Sequence, residues 1–450
     1  MEVQESAVKP IEPVFLDYQK DMSQLKAKSD IPVLYKQNVA NDLFQLIYVF
    51  DMGNNHDKAL GTAFDYLEYL GTSDMTPEEL KSEFYRLACT FYVSPGNERT
   101  YVVLSGLNEN MPAAVQLFEK LLADAQVNKE AYTNMTSDIL KARSDAKLNQ
   151  GQNFSRLMSF AMYGPKSPAT NLLTEAELTN MNPQELVDRI HNQNSYKHRI
   201  LYYGPSSSKD LLATINQYHQ VPAALKDIPA GNEYSYLETP VTKVLVAPYD
   251  AKQIYMAQIS NLDKKYDPAI EPIRALYDEY FGGGMNSIVF QEMRETRGLA
   301  YSAWASIMPP SYLKYPYVLR TQIATQNDKM IDAVTTFNDI INNMPESEAA
   351  FKLAKDGLTN RLRTERIIKG DIIWSYINAQ DLGQNVDPRI KLYNDIQNMS
   401  LKDIVDFQKQ WVKGRTYVYC ILGDKKDLEL DKLKAVGPIE ELTQEQIFGY

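Results

Sequence analysis

The sequence predicts an α+β protein of two homologous domains, each an antiparallel-rich sheet with helices packed on one face. Strand-like and helix-like patterns alternate along the 450 residues. Their order repeats once, roughly 210 to 220 residues later, a domain-sized period much longer than that of solenoid repeats. Mixed units of this kind bury their apolar surface by laying helices on one face of an antiparallel sheet. The composition, 44% hydrophobic and 23% charged, is that of a globular protein long enough for two to four domains.

Residues 1–30 read as a linker-like segment, with Pro10 and Pro13 in a polar run and neither the basic nor the apolar region of a signal peptide. Either the chain is the later part of a longer polypeptide, with a cell-envelope location if that polypeptide is secreted, or it is a separate, cytoplasmic subunit. The first domain spans 31–220. Segments 31–35 and 43–50 are apolar and β-rich and read as a strand pair, with Pro32 tolerated near a strand start. Ala63, Leu67 and Leu70 mark a helix over 60–70. Pro77 opens another after Thr76, and 91–93 and 100–105 return as strands. Segment 111–155 is helical in pattern, as is 172–194; 198–205 reads as a strand and turn, and 206–219 as helix.

Pro222, Pro229, Gly231 and Pro240 punctuate a linker over 221–240, and the second domain runs from 241 to 450. Its strands at 241–247 and 254–259 match those at 31–35 and 43–50. Tyr277-Asp278-Glu279-Tyr280-Phe281-Gly282 stands where Tyr66-Leu67-Glu68-Tyr69-Leu70-Gly71 stood, and MNSIVFQEMRETRGLAYSAWA corresponds to MTPEELKSEFYRLACTFYVSP. Later, 317–319 matches 101–103 and 399–405 echoes 181–187.

The stretch from Leu276 to Trp304 carries the chemistry. Ile270, Ile273, Leu276, Tyr277 and Tyr280 recur at helical spacing, so a helix ends at Gly282-Gly283-Gly284, where residues without Cβ tolerate positive φ. Asn286 or Ser287 can cap a second helix that carries Ile288, Val289 and Met293 inward and stops at Gly298. Residues 301–305 then alternate like a strand. The reversal at Gly298 can bring the Arg294 guanidinium and the Tyr301 hydroxyl towards one place, and both are donors. Such a pair suits a carbonyl oxygen gaining charge during amide hydrolysis, or a peptide backbone. The plainer alternative is a surface ion pair of Arg294 with Glu292 or Glu295 and a core position for Tyr301.

FGGGMNSIVFQEMRETRGLAYS resembles the signature of the insulinase/pitrilysin zinc peptidases, in the half of those molecules that does not hold the metal. The resemblance covers about twenty residues in order, and the two-domain organisation extends it over nearly the whole chain. It implies that Arg294 and Tyr301 contact a peptide near the scissile bond, that Gly282, Gly283, Gly284 and Asn286 shape the substrate-binding wall, and that two such halves close into a chamber. The zinc-bearing half of that family carries H-x-x-E-H on the first domain's helix, with two His ligands and a Glu base. Here that helix reads Phe64-Asp65-Tyr66-Leu67-Glu68-Tyr69-Leu70-Gly71. In one alignment Asp65 and Tyr69 replace the histidines; in the other Thr62 and Tyr66 do. Neither restores imidazole, and neutral Tyr is a poor zinc ligand. Glu130 and Asp138 offer no clear match to the family's further glutamate ligand.

The four histidines, His56, His191, His198 and His219, include no pair three to five apart, so no zinc pair forms on one helical turn. His191 and His198 read as surface or structural residues. Cys89 and Cys420 read as buried thiols. The glycine triplet lacks the Gly-Lys-Ser/Thr ending of a phosphate loop, and no nucleophile elbow is visible. A net charge of −11 with interspersed signs argues against nucleic acid, and no apolar run approaches the roughly 18 residues that span a bilayer. The expectation is therefore a chain that holds no metal itself, partnered by a zinc-bearing half and a peptide substrate. The alternatives are an inert structural or assembly subunit and a stand-alone peptide-binding module.

Overall fold

The structure, a computed structural model, describes residues 11–450; the first ten residues of the linker-like segment lie outside the described residues. The chain divides into two compact units. The N-terminal unit comprises Tyr18–Ser235 with Ile368–Trp374 and Gln444–Tyr450. The C-terminal unit comprises Tyr236–Ile367 and Ser375–Thr443, with the described residues before Tyr18.

The N-terminal unit is built on β1 (Ser23–Lys26), β2 (Pro32–Gln37), β3 (Leu43–Phe50), β4 (Cys89–Pro95), β5 (Thr100–Leu107) and β6 (Arg199–Gly204), in the order β1-β2-β6-β3-β5-β4. All neighbours are antiparallel except β2 and β6. Segments 31–35 and 43–50 are thus not a pair, because β6 lies between them. Ile200, Leu201 and Tyr202 of β6 are all buried, and a strand apolar on both faces belongs in a sheet interior. The 38–42 loop accommodates the crossing through Asn38, whose Nδ2 donates to the Leu43 carbonyl (2.9 Å) and whose Oδ1 accepts from Ala40 N (2.9 Å). Alternation along β3 sends Phe44, Leu46, Tyr48 and Phe50 into one core. Helices Leu60–Leu67, Pro77–Arg86 and Met111–Asp124 pack onto it with Ala63, Phe64, Phe84, Val115 and Phe118.

The C-terminal unit repeats the plan. Its strands are β7 (Lys243–Pro248), β8 (Gln253–Lys265), β9 (Ser302–Met308), β10 (Pro316–Gln326), β11 (Val418–Gly423) and β12 (Ile439–Glu441), in the order β12-β7-β11-β8-β10-β9. β11 runs parallel to β7 and inserts between β7 and β8 as β6 does between β2 and β3. The second core gathers Ile254, Met256, Ile307, Leu319 and Ile421 under helices Glu271–Phe281, Met330–Asn342 and Leu401–Trp411. Both units are α+β with antiparallel-rich sheets, as the sequence predicts. Among the described residues no helix is long and apolar enough to cross a membrane. Both cysteines are buried, and burial pushes the Cys420 thiol up to about 12.

Candidate functional site

The helix Glu271–Phe281 buries Leu276, Tyr277, Tyr280 and Phe281 completely, each side chain worth roughly 1.5–3 kcal/mol of hydrophobic stabilisation. Tyr280 Oη donates to the Pro345 carbonyl (2.7 Å) and accepts from Ser347 N (3.0 Å), which fixes the helix end. Gly282 then lies against the edge strand β9. A Cβ there would sit 2.2 Å from the Ala305 carbonyl oxygen, so the close approach requires glycine. Gly283 is similarly crowded by the Asp278 carbonyl at 2.8 Å, whereas Gly284 faces open space.

Sequence reasoning missed the group that holds this turn to the strand. Asp278 Oδ1 accepts from Ile307 N (2.9 Å) and Oδ2 from Ser306 Oγ (2.9 Å). Arg274 Nη1 donates to Asp278 Oδ2 (2.7 Å) and to the Ile307 carbonyl (3.2 Å), while Glu271 braces the same guanidinium at 2.9 Å. One carboxylate and one guanidinium thus satisfy Ile307 N–H and C=O as a neighbouring strand would. Burial pushes the Asp278 carboxyl up to about 6, against the opposing pull of Arg274. The three and four residue spacing of Glu271, Arg274 and Asp278 is visible in sequence, but their backbone target on β9 is not.

Past the turn, Ser287 rather than Asn286 is the cap, its Oγ accepting from Phe290 N (3.4 Å). The helix starts as Ile288–Phe290 and widens into a π-helical turn over Gln291–Thr296. Val289 and Met293 point inward, fully buried. Gly298 reverses the chain at φ +58°, and Leu299 N closes on the Met293 carbonyl (2.8 Å). Tyr301 N then bonds to the Ala324 carbonyl (3.0 Å) and starts the pairing with β10.

Arg294 and Tyr301 are brought together. The guanidinium carbon lies 5.7 Å from the Tyr301 ring centroid and 5.0 Å from that of Phe290, with Nε 3.5 Å from Glu295 Oε1. Tyr301 is 75% exposed. The plainer alternative therefore holds for the ion pair with Glu295 and fails for a core Tyr301. Gly283, Gly284 and Asn286 are exposed, while Gly282 is buried. An exposed cation bracketed by two aromatic faces, with a phenol hydroxyl beside it, can accept a peptide carbonyl or a carboxylate.

The position of a metal helix in the N-terminal unit does not fit zinc. The helix Leu60–Leu67 has Glu68 as its C-cap, so in the alignment on Glu68 the second ligand position, Tyr69, falls past the end of the helix. Tyr66 is buried, and its hydroxyl is engaged by the Asn128 carbonyl (2.5 Å) and Asn128 N (2.8 Å). Asp65 and Glu68 are exposed to solvent at their surface, although partial desolvation by the surrounding protein and then the Glu68 charge raise the Asp65 carboxyl. Glu130 and Asp138 are likewise exposed. Among the described residues no three His, Cys, Asp or Glu side chains are grouped to hold a metal ion. His191 bonds to the Ala125 carbonyl (3.1 Å), and His198 meets His219 in the interior.

Residues 200–358 match the family described as the peptidase M16 inactive domain. The chain is 23% identical over 422 residues to the "Non-peptidase homolog YmxG" of Helicobacter pylori, an alignment covering 89% of this chain and 93% of that one. Among solved structures, the peptidase M16 inactive domain from Pseudomonas fluorescens superposes with a TM-score of 0.69 at 15% identity, covering 90% of this chain and 98% of that one. The periplasmic protease PqqL from Escherichia coli superposes with a TM-score of 0.71 at 13% identity, covering 93% of this chain but 47% of that one. The chain therefore spans about half the length of PqqL.

Proposed function

We propose that this chain, whose residues 200–358 match the peptidase M16 inactive domain, is the metal-free half of an insulinase/pitrilysin-type zinc metallopeptidase and completes a peptide-hydrolysis chamber whose zinc is held by an H-x-x-E-H half. The observation that carries this reading is the exposed Arg294–Tyr301 contact at the head of β9. A buried pair would serve packing; an exposed pair on a glycine-constrained scaffold is available to a substrate. Arg294 would orient the peptide through the exposed part of its guanidinium. The Tyr301 hydroxyl would donate to the scissile carbonyl as charge develops on its oxygen. Gly282 to Asn286 would form the adjoining wall, where the missing side chains admit an extended backbone.

The test is a peptide-cleavage assay with the chain mixed with a zinc-bearing half. Tyr301→Phe should lower turnover by about 10²-fold, the scale for losing one donor to a developing oxyanion, and Arg294→Ala by about 10²-fold through misplacement of the peptide. Full turnover with both substitutions removes the assigned roles. A second reading, an inert structural or assembly subunit, is favoured by the name of the Helicobacter pylori relative and by the contacts that already occupy Arg294. Peptide that fails to bind even beside a zinc-bearing half selects that reading.

A further inference from the structure

The interior of the N-terminal unit holds a chain of three ionisable side chains that the proposed activity does not use. Glu119, on the helix Met111–Asp124, His219, which caps the helix Ser208–Tyr218, and His198, just before β6, are 1%, 0% and 7% exposed. Glu119 Oε1 is 2.6 Å from His219 Nδ1, His219 Nε2 is 2.8 Å from His198 Nε2, and His198 Nδ1 is 2.7 Å from the Tyr196 carbonyl oxygen. The other carboxylate oxygen, Oε2, accepts from Asn194 Nδ2 and Gln220 N, both at 2.9 Å.

A carbonyl oxygen cannot donate, so the last contact needs a hydrogen on His198 Nδ1. The middle contact then needs one on His219 Nε2, because His198 Nε2 is left with its lone pair. The first contact needs a third hydrogen, on His219 Nδ1 or on the carboxyl. Two neutral imidazoles supply only two. Leaving one contact without its hydrogen would place two lone pairs face to face in the buried interior, at the desolvation cost of an unpaired buried group.

We propose that Glu119, His219 and His198 together retain one proton more than a carboxylate and two neutral imidazoles carry, which makes them a proton-dependent lock between the Met111–Asp124 helix, β6 and the Ser208–Tyr218 helix. Burial and the neighbouring His219 hold His198 down at about 3, so it stays neutral within the chain. The groups that face the lock are few. The Tyr48 ring of β3 lies 4.3 Å from that of His219, tilted by 40°, its hydroxyl held well above the ordinary range by burial and then by Glu119. Lys226 lies over Tyr196, Lys197 is paired with Asp227, and His191 is bonded to the Ala125 carbonyl.

The linkage has two limbs. Above the ordinary histidine range near 6.5, the unfolded segment carries one proton fewer than the lock, so stability falls as pH rises. Below that range the unfolded segment carries one more, so stability falls as pH drops. The lock is tightest near pH 6.5 and loosens on either side.

Glu119→Gln supplies the test, because an amide donates to His219 Nδ1 and still accepts from Asn194 and Gln220 with no proton to gain or lose. Hydrogen-exchange protection of the β6 amides is measured for both full chains between pH 5.5 and 8.5. The ratio of folding constants, wild type over Glu119→Gln, should fall tenfold per pH unit, and taking the ratio cancels every other titrating group. A ratio independent of pH overturns the proposal. Should the variant not fold, NMR of the wild-type imidazoles and carboxyl decides: at pH 7 hydrogens are expected on His219 Nε2, on His198 Nδ1 and, as the third, on His219 Nδ1 or the Glu119 carboxyl, and a bare nitrogen at either of the first two positions or a Glu119 carboxylate facing a bare His219 Nδ1 overturns it.

Discussion

The two edge strands β4 and β9 occupy the same place in the two copies of the fold, and they are secured by opposite chemistry. β9 is pinned through Ile307 by Arg274 and Asp278. At the corresponding positions of the first copy, 211 residues earlier, stand Leu60, Ala63 and Leu67 in place of Glu271, Arg274 and Asp278, all three buried in the core. Among the described residues no hydrogen bond reaches the outer edge of β4. The next pair of positions also diverges. Arg294 and Tyr301 correspond to Phe84 and Phe91, whose rings touch at 4.9 Å between centroids. Even the reversal between helix and strand is matched, with Gly298 at φ +58° and Ala88 at φ +49°. One scaffold therefore places a helix residue against a strand residue in both units, apolar in one and charged and exposed in the other. The contact is kept while its chemistry and its exposure change.

Moving the charge from one copy to the other has the largest effect. Leu67→Asp puts a carboxylate where the residue is 1% exposed and no guanidinium waits; the expected loss is about 4 kcal/mol or more, read by urea unfolding. Asp278→Ala removes the opposite feature. It leaves Arg274, Ser306 and Ile307 N short of their acceptor, at roughly 3 kcal/mol, and amide exchange at Ile307 should accelerate correspondingly. The same carboxyl gives a pH signature. Its folded value of about 6 lies above the ordinary 3.8, so its proton is held more tightly in the folded unit. Its contribution is complete below about pH 4 and is lost as pH rises to about 6, on the order of 2 to 3 kcal/mol. Asp278→Ala should flatten that limb of the stability profile.

A smaller effect of opposite sign is expected at the reversal. Ala88 sits in the left-handed region that costs a residue with a Cβ about 1 kcal/mol, while its counterpart is already glycine. Ala88→Gly should stabilise the N-terminal unit by roughly 0.5 kcal/mol after the entropy of the freer unfolded chain is subtracted. A loss of stability on thermal melting would show that the two reversals are not equivalent.

Much of this organisation is legible in the sequence because it is local. The helix that ends at Gly282, the serine cap, the stop at Gly298 and the strand beyond it follow from spacing and from residue types with one dominant physical use. The insertion of β6 between β2 and β3 is not, since periodicity identifies a strand but not its neighbour. The Asp278 clamp escaped for a related reason: its target is a backbone amide 29 residues away. The Glu119–His219–His198 chain joins residues separated by 100 and 21 positions, with no local pattern to announce it.

The gentlest change sharpens the comparison most. Replacing Arg294 and Tyr301 together by Phe writes the first copy's pair into the second. The Arg294 side chain is 45% exposed, and an exposed cation–aromatic contact is worth about 0.5 to 1 kcal/mol, so the double variant should unfold within roughly 1 kcal/mol of the parent. Its turnover beside a zinc-bearing half should nevertheless fall by at least about 10²-fold, because a phenyl ring offers no donor to a carbonyl oxygen. A large loss of stability would mean that the pair holds the unit together and that its exposure is incidental. Unchanged turnover would mean that the charge was retained for something other than the peptide. Stability kept and turnover lost is the combination that assigns the pair to substrate, since the two copies then differ in what they touch outside the fold while packing alike within it.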